Sequence, residues 1–136
     1  DDAPLDEQRA QRIEDDLGAF LEDWYRQPLF ASLDRHGLVE EMVRRRRAND
    51  PCGLARALRG LSPGAQPSLW NRLPDLTVPT LVLTGAHDDK YRAITERTAE
   101  SMPEARRAVV PGSGHNVHAE RPQAFLAHLG RFLGAT

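Results

Sequence analysis

The stretch TVPTLVLTG (77–85) constrains the fold of this chain more than any other. Its continuous apolar run, bounded by Pro79 and Gly85, reads as a buried strand. Residues 90–101 have the mixed-charge texture of a helix, and Arg107 to Val110 form a second short strand that stops at Pro111-Gly112. Pro122 suits the first turn of a closing helix, whose apolar face is Phe125, Leu126, Leu129, Phe132 and Leu133. Strand, helix, strand, helix implies parallel strands joined by right-handed crossovers. Two parallel strands are not stable alone, and such strands normally lie within a larger sheet covered on both faces. The expectation is therefore that a partner half of this core lies outside the sequence. The first residue, Asp1 rather than Met, points the same way.

Residues 1–73 have a different texture and read as all-helical. Leu17, Phe20, Leu21 and Trp24 recur at helical spacing, with Pro28 just beyond. A second helix is expected from Leu38 to Ala48 on the stripe Val39, Met42 and Val43, and a third from Gly53 to Leu61. Residues 62–67 are rich in turn formers and read as a loop, followed by a short helix on Leu69, Trp70 and Leu73.

The bulk properties remove several classes of function. At 136 residues the chain suits one modest domain or part of a larger one. A net charge of −2 gives no support for a nucleic-acid or membrane-surface role. The run RRRR (44–47) lacks interleaved aromatic residues, so a solvated helix face is its reading. No apolar run approaches the length of a membrane span, and no signal peptide is visible. The lone cysteine, Cys52, rules out an intrachain disulfide, and a reducing, cytoplasmic setting is expected.

Chemistry concentrates in two loops that follow the carboxyl ends of the two strands, the edge where open α/β sheets bind ligands. The first is GAHDDK (85–90), with an acid at Asp88 or Asp89, and the second is PGSGHNVH (111–118), with a base at His115. A carboxylate that accepts from one imidazole nitrogen fixes the tautomer, and the other nitrogen is then free to move a proton. The plainer alternative is that Asp88 caps the following helix and His115 is an ordinary loop residue.

A strand ending in G-x-x-D, followed roughly 25–30 residues later by a G-H loop and a helix opened by proline, resembles the end of an α/β-hydrolase. The resemblance places the family's acid on Asp88 and its base on His115. It implies an α/β fold class in which residues 1–73 are a helical cap and residues 74–136 are the C-terminal part of the core. More narrowly, DWYRQPLFASL (23–33), RRAND (46–50) and GHNVHAERP (114–122) resemble the 2-succinyl-6-hydroxy-2,4-cyclohexadiene-1-carboxylate synthases of menaquinone biosynthesis. That resemblance runs from Leu17 onward. It implies an enzyme that removes a proton from a substrate bearing several carboxylates and expels pyruvate through a Ser-His-Asp triad, without a metal or organic cofactor.

The resemblance further implies that Trp24 forms part of a cap wall and that Arg46 binds a substrate carboxylate. Periodicity agrees on Arg46, because it alone in the arginine run continues the Val39–Met42–Val43 stripe. An inward guanidinium is costly unless a carboxylate or an anionic ligand meets it. Tyr25 and Phe30 are further pocket candidates, with core packing as the alternative for each aromatic residue.

The family's serine, set on a G-x-S-x-G elbow, has no counterpart among Ser32, Ser62, Ser68, Ser101 and Ser113. Nucleophile and oxyanion donors are thus expected in the missing half of the core, and residues 1–136 alone are expected to be inactive. Two other functions share these features: a hydrolase acting on an ester or carbon–carbon bond, and a non-catalytic binding or scaffolding piece. His115 and His118 form H-x-x-H beside Glu120, but without a cysteine or a third ligand at a familiar spacing this is weak evidence for a metal. His118 reads as structural and Asn116 as a residue that orders the loop through side-chain to backbone bonds.

Overall fold

The computed structural model describes residues 3–134. In chain order its elements are α1 (Ala3–Asp15), α2 (Leu17–Tyr25), α3 (Ala31–Arg35), α4 (Val39–Arg46), α5 (Pro51–Leu61), β1 (Thr80–Gly85), α6 (Asp89–Ser101), β2 (Ala105–Val110), α7 (Val117–Glu120) and α8 (Pro122–Leu133). Short 3-10 turns occur at Pro28–Phe30, Pro63–Ala65 and Trp70–Asp75. These elements form two compact units. The first holds the described residues through Gln27 together with Val39–Ser68, and the second holds Pro28–Leu38 together with the described residues from Leu69 onward. The units do not divide where the sequence texture changes, because Pro28–Leu38 groups with the strands.

In the first unit, α1 packs on α5 and α2, and α2 packs on α4. Ala10, Ile13, Leu17, Phe20, Leu21, Tyr25, Met42 and Ala55 are buried. Two helices start on capping aspartates: Asp16 accepts from the Ala19 N–H at 2.9 Å, and Asp50 from the Gly53 N–H at 2.8 Å, with Pro51 opening α5. The buried face of α1 includes a carboxylate, Asp6, which accepts from Ser62 Oγ at 2.6 Å and from Arg9 at 2.8 Å. An acid and an alanine in that face, at positions 6 and 10, hide its helical period and explain why apolar spacing does not delimit α1. Arg59 of α5 reaches both Glu7 and Glu14 of α1 at about 2.9 Å, fastening the two helices.

In the second unit, β1 and β2 are parallel, in register from Thr80 opposite Ala105 to Gly85 opposite Val110. The crossover helix α6 packs on both strands, and α8 packs on β2. Arg97 of α6 lies 4.2 Å over the ring of Trp70. Leu33 of α3 is fully buried, a burial that contributes about 1.5–3 kcal/mol. Gly134, at φ 71°, closes α8 in the left-handed conformation.

One expectation about apolar surface is corrected. Leu81, Val82 and Leu83 are half-buried, not buried, because among the described residues β1 has a strand neighbour on one side alone. Within the expected face of α8, Leu126 and Leu133 are 61% and 68% exposed, while Phe125, Leu129 and Phe132 are half-buried. The helix expected to run to Ala48 ends at Arg46, and the strand expected from Arg107 begins at Ala105. The four residues of α7 are too few to show a period, and they fall where a loop is expected. Among the described residues no helix is long and apolar enough to cross a membrane.

Candidate active site

The paired strands deliver the two chemistry-bearing loops side by side. Beyond the register end, the Ala86 N–H donates to Val110 O at 2.9 Å and the His87 N–H to Ser113 O at 2.8 Å. Gly85 permits this approach, since a Cβ there would lie 2.2 Å from Gly114 O. Gly112, at φ 69°, turns the second loop back. Ser113 is fully buried and its hydroxyl donates to Val110 O at 3.0 Å, so it serves the loop backbone.

Asp88 and His115 meet across these loops. The Asp88 carboxylate is buried, and its Oδ2 lies 2.7 Å from His115 Nδ1. Its Oδ1 accepts the Tyr91 N–H at 3.3 Å, capping α6. Helix capping and imidazole orientation, alternatives on the sequence, are here done by one side chain with two oxygens. An ionised carboxylate is an acceptor only, so Nδ1 is the donor in this bond, and in a neutral ring Nε2 then presents a lone pair. Nε2 has no hydrogen-bond partner among the described residues, and the His115 side chain is 29% exposed. The ring is flanked by Tyr91, with centroids 4.7 Å apart, and by the edge of buried Phe30 at 5.9 Å. The second unit therefore brings together three candidates: Asp88, His115 and Phe30. Tyr91 joins them unannounced by the sequence, because its place follows from the first turn of α6 and not from a motif.

The other three candidates lie in the first unit. Trp24 stacks on Phe20 at 5.6 Å and receives the Arg9 guanidinium over its ring at 5.2 Å. Tyr25 is buried, and the Arg46 guanidinium lies 5.7 Å from its ring centroid. Burial pushes the Tyr25 hydroxyl above its ordinary pKa, with Arg46 opposing. Arg46 is half-buried, while Arg44, Arg45 and Arg47 are exposed. Arg44 and Arg45 pair with Glu41, and Arg47 pairs with Glu22. Among the described residues Arg46 forms no salt bridge; its Nη1 lies 3.5 Å from Met42 Sδ.

The loop around His115 is ordered differently from expectation. Asn116 makes no side-chain cap bond. Glu120, buried on α7, binds the backbone on both sides of His115 instead, accepting from the Gly114 N–H at 2.8 Å and the Asn116 N–H at 3.2 Å. On the sequence Glu120 enters only as a neighbour of the H-x-x-H pair. Its four-residue spacing from Asn116 was the available signal. His118 is exposed and meets the edge of Phe125 at 6.2 Å. Asp89 is exposed and pairs with Arg92 at 3.2 Å. Among the described residues no group of three or more His, Cys, Asp or Glu side chains is placed to hold a metal ion.

Comparison with known proteins bears on this arrangement. A Bacillus subtilis (strain 168) protein is 38% identical over 125 residues, covering 89% of this chain and 45% of its own. The 2-succinyl-6-hydroxy-2,4-cyclohexadiene-1-carboxylate synthase of Serratia proteamaculans is 38% identical over 120 residues, covering 86% of this chain and 44% of its own. The structure of MenH from S. aureus superposes with a TM-score of 0.88 at 30% identity, over 97% of this chain and 51% of that one. The chain thus spans about half the length of the curated relatives it matches. Residues 2–128 match the model of the Alpha/beta hydrolase family. Two parallel strands joined by a helical crossover fit that fold, and the chain belongs to the alpha/beta hydrolase family.

Proposed function

We propose that this chain carries the proton-relay part of an α/β-hydrolase-fold enzyme of menaquinone biosynthesis, one that eliminates pyruvate from a substrate bearing several carboxylates. The observation that carries the reading is the 2.7 Å bond from His115 Nδ1 to Asp88 Oδ2, with Nε2 lacking a hydrogen-bond partner among the described residues, at the carboxyl edge of the strands where open α/β sheets bind ligands. Relatives named as synthases of that pathway support the choice of reaction.

In this reading His115 Nε2 takes a proton by way of a serine hydroxyl supplied by the rest of the protein. Asp88 stabilises the imidazolium that forms. The electrons of the broken C–H bond become part of a new double bond as a C–O bond conjugated with it breaks and releases the enolate of pyruvate. The imidazolium then returns the proton to that enolate, giving pyruvate. Arg46, the half-buried guanidinium without a carboxylate partner among the described residues, would hold a substrate carboxylate. Trp24, Tyr25 and Phe30 would supply apolar walls. No metal or organic cofactor takes part. The exposed free thiol of Cys52 fits a reducing, cytoplasmic setting.

The test is pyruvate release from the pathway substrate by the complete protein that carries this chain, beside hydrolysis of simple esters. Pyruvate release that disappears in His115→Ala supports the reading. Ester hydrolysis without pyruvate release would point to the broader hydrolase activity of the family, and near-normal pyruvate release by His115→Ala would sink the relay.

A further inference from the structure

We infer that Glu120 is a positioning residue for His115, holding the backbone on both sides of the histidine and tying it to α3 through Ser32. The inference rests on the reading of His115 as the proton relay.

The Glu120 side chain is 1% exposed. A carboxylate so placed is costly unless its lone pairs are met. Oε2 accepts the Ser32 hydroxyl at 2.5 Å and the Gly114 N–H at 2.8 Å, and Oε1 accepts the Asn116 N–H at 3.2 Å. Among the described residues it makes no salt bridge with lysine or arginine; the nearest basic nitrogen is His36 Nε2, 3.7 Å from Oε2. The two amides it accepts belong to the residues immediately before and after His115. One lies in the Ser113–Gly114 peptide and the other in the His115–Asn116 peptide, so the two bonds bracket the histidine and restrain the direction in which its side chain leaves the backbone. That direction brings Nδ1 to 2.7 Å from Asp88.

The same segment holds the loop at further points. His36 Nε2 lies 3.0 Å from Gly112 O, where Arg121 Nε also donates at 3.2 Å. A Cβ on Gly114 would lie 2.6 Å from Ser32 Cβ, so α3 sits directly against the loop. Phe30, two residues before Ser32, meets the imidazole ring. Pro28–Leu38 thus grips the His115 loop through Ser32, His36 and Phe30, which accounts for its grouping with the strands. A carboxylate that only filled a loop would have no reason to take both amides flanking one histidine. Partners of this kind, one step from a reacting group, alter activity about 10–100-fold when removed from metal-ligating histidines, and a shift of about 1 Å at a reacting group has a comparable effect.

The experiment uses the complete protein carrying this chain, in wild-type form and as Glu120→Gln, Ser32→Ala, His115→Ala and Asp88→Asn. Three quantities are read: kcat and KM, the melting temperature, and the proton resonance of His115 Nδ1–H, which is displaced downfield while it is bonded to Asp88. Glu120→Gln keeps the volume but turns one acceptor into an amide donor facing a backbone N–H. It is expected to lower kcat roughly 10–100-fold with KM changed less than threefold, and to weaken or shift the Nδ1–H resonance. Ser32→Ala, which leaves the carboxylate in place, is expected to give a smaller change of the same kind.

An unchanged kcat and an unchanged Nδ1–H resonance in Glu120→Gln would overturn the inference, even with a lower melting temperature. If Glu120→Gln does not fold, Ser32→Ala decides on the same two readouts. The two ideas fail separately. Loss of activity in His115→Ala and Asp88→Asn with normal kcat in Glu120→Gln removes only the positioning role. Full activity in His115→Ala removes the relay itself.

Discussion

Asp88 holds His115 with one carboxylate oxygen and the first turn of α6 with the other, at 2.7 and 3.3 Å. The helix is thereby part of the dyad's framework. Its first turn also carries Tyr91, whose ring lies against the imidazole.

This double duty separates two substitutions. Asparagine is as good a helix cap as aspartate but presents no charge to an imidazolium. Asp88→Asn should therefore leave the melting temperature almost unchanged while lowering kcat of the complete protein by roughly 10⁴-fold, as when the acid of a Ser-His-Asp triad is so replaced. Asp88→Ala should lose the activity and, in addition, about 1 kcal/mol of stability with the cap. Steady-state kinetics and denaturant unfolding on both variants check this, and similar stability losses in the two would contradict the assignment of the cap.

Gly85 should tolerate no side chain. A Cβ at this position would fall 2.2 Å from Gly114 O and 2.4 Å from Ser113 O, both backbone atoms that cannot step aside alone. Gly85→Ala should destabilise the protein by roughly 1–3 kcal/mol and separate the two loops that carry Asp88 and His115. Urea unfolding and the His115 Nδ1–H resonance report the two effects independently.

Arg46 should act on binding. A guanidinium bonded to a substrate carboxylate contributes roughly 1.5–3 kcal/mol, so Arg46→Ala should raise KM at least tenfold with a lesser change in kcat. Arg45→Ala, whose parent side chain is exposed and paired with Glu41, should leave both constants near wild type. Equal kinetic effects in the two variants would remove the special role of Arg46.

Acid should destabilise the helical unit. Asp6 is held below its ordinary value of 3.8 chiefly by the Ser62 hydroxyl and then by Arg9. Glu7 and Glu14 are held below 4.5 by Arg59, and Glu41 by Arg44 and Arg45. A carboxyl whose folded pKa is depressed contributes stability above its unfolded pKa and loses it as pH falls through the folded value. The melting temperature should thus be flat above about pH 5 with respect to these groups and fall below about pH 4. Asp6→Asn should be less stable at neutral pH and show a shallower acid slope. A melting temperature equally steep in acid for wild type and Asp6→Asn would show that Asp6 is not a source of the slope.

Much of this molecule is legible one residue at a time. The helix around Trp24 and the helix opened by Pro122 follow from apolar spacing and from proline's fixed φ. The strands follow from apolar runs that end at Gly85 and at Pro111-Gly112. The half-burial of Arg46, against its three exposed neighbours, agrees with a period of 3.6. Harder to read are elements whose buried face is not apolar or is too short to repeat. The inner face of α1 carries Asp6, and α7 has four residues.

Local pattern accounts for most of the elements, for the order of acid and histidine on successive strand ends, and for the chemistry each could perform. Those properties depend on neighbours within a few turns of chain. The folded chain sets which oxygen of Asp88 meets which nitrogen of His115, and brings Glu120 and Ser32, 88 residues apart, into a hydrogen bond beside it. A buried polar group takes its role from whatever donors the folded chain brings within about 3 Å, and that proximity is not written in any local pattern.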